Sequence, residues 1–179
     1  MIDYLITIVL SAFLLFFVQP LIGKVILPWF GGSASVWSAL LLFFQFVLLL
    51  GYTYSYLITV KLKRRQQMIV HAGVVASSLV LLGAGLIGDA VPMIPSSRLK
   101  PGPETVPIIR ILLILGSSVG LPYFALSTTS PLLQAWYAKD APGRTPYWLY
   151  ALSNAGSFTA LVGYPFIIEP LLDLPAQAW

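Results

Sequence analysis

Two groups of residues in this sequence are of types that could do chemistry in an apolar setting. The first is Ser127, Thr128, Thr129 and Ser130, four consecutive hydroxyls within the stretch LPYFALSTTSP, Leu121 to Pro131. The second is Gln19 and Lys24 in the string VQPLIGK, with the amide of Asn154 further along the chain. Hydroxyls, amides and an ammonium can hold a solute by hydrogen bonds or pair with an anion. Catalysis needs more: a positioned acid, base or nucleophile. Ser127 has no evident base, because His71, the single histidine, falls in another segment. With no cysteine in the chain, disulfides, thiolate metal sites and cysteine nucleophiles are excluded. One histidine cannot make a bis-histidine haem site. A single axial ligand to a tetrapyrrole and an interfacial histidine both stay open for it. The expectation is a protein without catalytic residues, metal or cofactor.

Gln19, Lys24, Ser127, Thr128, Thr129, Ser130 and Asn154 are expected to line a shared cavity. Each also has a plainer reading. The hydroxyls can bond the carbonyls of their own helix. Lys24 can snorkel to the headgroups, or face a bundle interior and pair with an anion or a carboxylate.

The elements that must position these residues follow from composition. The chain is 58% hydrophobic and 9% charged, with mean hydropathy +0.88. Soluble domains carry about 25% charged residues, so this chain cannot cover a water-facing surface and is read as an integral membrane protein. Its formal charge of +4 sits mainly in short loops and is no nucleic-acid signature.

The apolar runs predict an all-α polytopic bundle of five spans, at about 4–29, 34–60, 68–87, 106–138 and 147–172. Asp3 and the missing basic n-region argue against a cleaved signal. Gln19 and Pro20 are expected to interrupt the first span. The fourth exceeds the roughly 20 residues that a straight span needs. Pro122 and Pro131 each remove a backbone donor and crowd the preceding turn, so the sequence predicts broken backbone there. Such backbone at membrane depth requires surrounding protein or a water-filled cavity. Pro165, Glu169 and Pro170 are expected to break or end the fifth span.

Two sets of small residues are expected to pack helices. Gly116 and Gly120 form a GxxxG pair, and Ser153, Gly156, Ala160 and Gly163 recur at spacings of three, four and three. Both let a neighbouring backbone approach closely. They predict partner helices from other membrane subunits.

Basic residues in short loops stay cytoplasmic. Lys61, Lys63, Arg64, Arg65, Lys139 and Arg144 are placed inside, against Lys24, Arg98, Lys100 and Arg110 outside. The proline-rich connection from 88 to 105 has charges that cancel and suits the outer face. The expected location is a bacterial inner membrane, with the N-terminus cytoplasmic and the C-terminus periplasmic.

Four strings together carry a family resemblance: QPLIGKVILPWFGG (19–32), SVWSALLLFFQFVLLLGYTYSY (35–56), LPYFALSTTSPLLQAWYA (121–138) and YWLYALSNAGSFTALVGYPFIIEP (147–170). They resemble the membrane region of bacterial fused major-facilitator/spermidine-synthase-like proteins. The resemblance implies a fold like part of a major-facilitator half. It also implies further spans and a soluble aminopropyltransferase-like domain, whose glycine-rich fingerprint is absent from these 179 residues. The functional expectation is a transporter-like module acting as an accessory or structural subunit of a larger membrane assembly. The alternative is a truncated part of a small-solute, polyamine-related transporter–synthase fusion.

Overall fold

A computed structural model describes residues 2–87, 94–95, 99–100, 107–140 and 147–178. The connection 88–105 and the loop carrying Arg144 therefore lie largely or wholly outside the described residues. Every regular element among those described is helical. The elements are α1 (Ile2–Phe30), α2 (Ala34–Lys61), α3 (Arg64–Ile87), α4 (Pro107–Leu115), α5 (Leu121–Asp140), α6 (Tyr147–Gly163), α7 (Glu169–Leu171) and α8 (Leu174–Ala178). A π-helical segment, Gly116–Gly120, joins α4 to α5, and a second, Tyr164–Ile168, joins α6 to α7. Five helical stretches are long and apolar enough to cross a membrane: Ile2–Phe30, Ala34–Lys61, Arg64–Ala84, Ile108–Asp140 and Tyr147–Leu171. At 1.5 Å per residue, the 29 residues of α1 span ~43 Å. That exceeds a hydrocarbon core of about 30 Å.

Pro20 and Pro131 do not break their helices as the sequence predicts, whereas the fifth stretch ends at Leu171, directly after Glu169 and Pro170. α1 runs through Pro20 and α5 runs through Pro131. Between Pro107 and Asp140 the backbone stays helical, and a π segment takes up the irregularity next to Pro122. Hydroxyls near the prolines add hydrogen bonds to backbone carbonyls. Ser117 Oγ and Ser118 Oγ donate to the Ile114 carbonyl at 3.1 and 2.7 Å. Near Pro131, Ser55 Oγ of α2 donates to the Thr128 carbonyl at 3.1 Å; the carbonyl that Pro131 itself leaves without an amide donor is that of Ser127, four residues back.

α1 and α5 form the middle of the bundle. α1 lies against α6, α5 and α2; α2 lies against α5 and α4; α3 packs chiefly on α5 at the edge. The main core gathers Ile22 and Ile26 of α1, Leu40 and Phe44 of α2, Ile111 and Leu115 of α4, and Tyr123 of α5. The Phe44 and Tyr123 rings meet at 4.8 Å. Lipid tails are as apolar as leucine, so such contacts hold by fit rather than by escape from water. Two glycines permit the fit. A Cβ at Gly51 of α2 would overlap the Ser127 side chain, and a Cβ at Gly156 of α6 would come within 2.8 Å of the Val9 carbonyl oxygen of α1. The α1–α2 turn uses Gly31 at φ +78°, a conformation that costs a side-chain-bearing residue. Ser33 then caps α2 by accepting from the Val36 amide.

The small-residue expectations resolve differently. α1 of this same chain covers the Gly156 and Ala160 face of α6. A Cβ at Gly120 would lie 3.8 Å from Phe43, whereas one at Gly116 or Gly163 would meet nothing within 4 Å beyond its own stretch of helix among the described residues. The α6 stripe is thus filled internally around Gly156, and it does not call for an outside helix there.

Candidate functional site

The seven polar residues expected in one cavity do not meet in one. Thr128 is fully buried and donates to the Ala125 carbonyl at 2.8 Å. Ser127 donates to the Phe124 carbonyl, also at 2.8 Å. Thr129 Oγ1 shares the Ala125 carbonyl and faces a separate, mostly apolar space beside α1 and α3. These three hydroxyls take the plainer reading: a helical register lets a β-hydroxyl reach back one turn. Gln19 Nε2 donates to the Tyr123 hydroxyl at 3.0 Å inside the α1–α5 contact. Lys24 Nζ lies 3.1 Å from Glu169 Oε1 at one end of the bundle, with both side chains more than a third exposed. That pair joins α1 to α7 and lines no cavity with Ser130.

Ser130 and Asn154 do come together, in a cleft of about 310 Å³ between α2, α5 and α6. Ser130 breaks the pattern of its neighbours because its Oγ turns outward to Ser153 Oγ of α6, 3.2 Å away. Gln134, one turn on, donates from Nε2 to Ser130 Oγ at 2.9 Å. Gln134 is only 5% exposed, and its Oε1 is buried without a hydrogen-bond partner among the described residues. Tyr52, Ser55, Tyr56 and Thr59 of α2 and Tyr150 of α6 complete the polar lining. An unpaired buried acceptor costs roughly 1–3 kcal/mol.

The cleft continues a stripe. Ser38, Gln45, Tyr52 and Thr59 stand seven apart on α2, a spacing that drifts only ~20° per heptad. The first three are exposed and Thr59 is half-buried. Sequence reading by span missed Gln134, Tyr52, Tyr56 and Tyr150. The signals that could have found them were this heptad repeat and the i, i+4 pairs Ser130/Gln134 and Tyr150/Asn154.

A larger void, about 1,000 Å³, lies between α1 and α6, but apart from Thr159 its lining is apolar, with Leu5, Val9, Phe13 and Leu152 among its members. It offers almost nothing to orient a polar solute and suits acyl chains.

One end of the bundle is clasped by polar groups that the sequence did not single out. Arg64 Nη2 donates to Asp140 Oδ2 at 3.1 Å and to the Tyr4 hydroxyl at 3.2 Å, and that hydroxyl donates to the same carboxylate at 2.8 Å. The guanidinium sits 4.3 Å from the centre of the Trp136 ring. Trp136 Nε1 donates to Gln67 Oε1 at 2.7 Å, and Gln67 Nε2 donates to the Leu62 carbonyl. This ties the starts of α1 and α3 to the end of α5. His71 lies edge-on to Trp136, 6.4 Å between ring centres. Among the described residues no three His, Cys, Asp or Glu side chains converge. The arrangement as a whole can bind and orient an uncharged polar group, and it has no acid–base pair in the cleft. No family model, curated protein or solved structure matches the chain.

Proposed function

We propose that the chain is a non-catalytic, transporter-like membrane module that works within a larger membrane assembly, where further helices complete its polar α2–α6 face. The observation that carries this reading is the stripe of exposed polar groups at membrane depth. Gln45 lies ~17 Å along an α2 of ~42 Å, near its middle, and is exposed together with Ser38, Tyr52 and Asn154. An amide left in hydrocarbon costs several kcal/mol, so this face belongs against protein or water. Solute sites in secondary transporters lie near the midplane between two such bundles. The resemblance to the membrane region of the fused major-facilitator/spermidine-synthase-like proteins points the same way. The clustering of Lys61, Lys63, Arg64, Arg65 and Lys139 near one end of the bundle supports a cytoplasmic N-terminus and a periplasmic C-terminus, in the bacterial inner membrane that the resemblance implies.

The test is native mass spectrometry on protein extracted from its own membrane in mild detergent, with the intact mass of this chain determined in the same run. A 19.6 kDa chain held in a larger complex is the expected result. A monodisperse lone 19.6 kDa species would sink the proposal. A much heavier chain would make the module one part of a transporter–synthase fusion.

A further inference from the structure

The outward side of α2 carries a second pattern. Ser38, Leu42, Gln45, Leu49, Tyr52 and Tyr56 stand at spacings of four, three, four, three and four. That alternation averages 3.5 residues, the period of a coiled-coil seam. Helices joined along such a seam cross at about 20°, the left-handed geometry common in membrane bundles. All six residues are exposed, and Leu42, Leu49, Tyr52 and Tyr56 are each more than half exposed. The chain's own core takes the opposite side of α2, with Leu40, Phe44 and Val47 among its residues. The seam is therefore unused by the helices described.

The chemistry of the seam selects its partner. It holds no Asp, Glu, Lys, Arg or His, so it has no charge to offer a charged helix. Its polar members are one amide and three hydroxyls, groups that both donate and accept. A two-fold pair sets each residue near the axis against its own copy, and groups of this kind can hydrogen-bond to themselves. The basic loop from Lys61 to Arg65 gives every copy the same orientation. The axis then runs along the membrane normal, and the two α2 helices are parallel and in register. Hydroxyls off the seam are satisfied within α2: Thr53 donates to the Leu49 carbonyl and Thr59 to the Ser55 carbonyl, whereas the Gln45 amide has no partner among the described residues. An amide in the middle of such a seam also fixes its register.

We infer that two copies of this chain pair through α2, parallel and in register, with Gln45 hydrogen-bonded to the second copy's Gln45 at the two-fold axis. This rests on the reading that further helices complete the α2–α6 face, and it names the first of them. Tyr52 and Tyr56 belong both to the seam and to the α2–α5–α6 cleft, so the pair brings the second copy's tyrosines to the mouth of that cleft.

The sequence has no cysteine, so disulfide cross-linking can read the seam directly. Leu42→Cys and Leu49→Cys lie on it, and Leu50→Cys lies on an exposed flank of the same helix. Each single variant is oxidised with copper phenanthroline in its native membrane. We expect both seam variants to give a covalent dimer of twice 19.6 kDa, and Leu50→Cys to give severalfold less. Adding Gln45→Leu to Leu49→Cys should lower the yield severalfold, and Gln45→Asn, which keeps an amide, should retain most of it. Equal cross-linking of all three single variants would mean chance collision and would overturn the inference. No dimer from either seam variant, a yield that Gln45→Leu leaves unchanged, or an equal loss with Gln45→Asn would do the same. The mass measurement fails separately: a larger complex with one copy of the chain refutes self-pairing and leaves the assembly standing, whereas a lone chain refutes both.

Discussion

The two sides of α5 carry similar residues and use them differently. Toward α2, Ser127 and Thr128 sit against Gly51 and Ser55 with no space between the helices, and each hydroxyl bonds a carbonyl of its own helix. Toward α6, Ser130 and Gln134 stand at a gap and bond side chain to side chain. Residue type is nearly constant across the four hydroxyls, so the neighbours decide: Ser130 has Ser153 and Gln134 within reach, and the other three turn to carbonyls of their own helix. The glycine at position 51 closes one side. On the other side, Gly156 draws α6 toward α1, away from α5.

The comparison can be broken most forcefully at its closed side. Gly51→Val should cost about 3 kcal/mol, because the added carbons must displace the Ser127 side chain and backbone; an unfolding titration in mixed micelles that shows an unchanged midpoint would contradict the close contact. Next in size is Tyr123→Phe, which leaves Gln19 Nε2 without its acceptor inside the α1–α5 contact; a loss of about 2 kcal/mol is expected in the same titration. Ser55→Ala removes one cross-helix bond to the Thr128 carbonyl and should cost about 1 kcal/mol. Smallest is the matching change on the open side. Ser153→Ala gives up a contact at the cleft that water can replace, and about 0.5 kcal/mol or less is expected. Equal losses for Ser55→Ala and Ser153→Ala would mean that the two sides are packed alike.

The spans were legible because hydrocarbon leaves a sequence little choice: runs such as Leu40–Leu50 can only be buried in lipid or protein. The prolines misled. Pro20 and Pro131 look like breaks when each segment is read alone, yet their helices continue. Each proline removes one amide donor, while contacts from a neighbouring helix, such as Ser55 Oγ on the Thr128 carbonyl, are invisible to a reading of one segment. The site was half legible for the same reason. Ser130 and Asn154 stood out as polar groups in oily sequence and do meet at the cleft. Ser127, Thr128 and Thr129 stood out equally and turn to their own carbonyls. Gln134 drew no notice, since its importance lies in a carbonyl oxygen left unpaired by the packing around it.

The π segment at Gly116–Gly120 fixes the phase of everything after it. A π turn is an α-helix holding one residue in surplus, and one residue amounts to about 100° of rotation at 3.6 residues per turn. Deleting a single residue there would barely shorten the span. It would, however, turn Ser130 and Gln134 away from α6 and bring a different set of side chains to the cleft. The bundle thus contains a dial: a family of such proteins could change what its cleft displays by gaining or losing one letter ten or more positions upstream of the residues that line it.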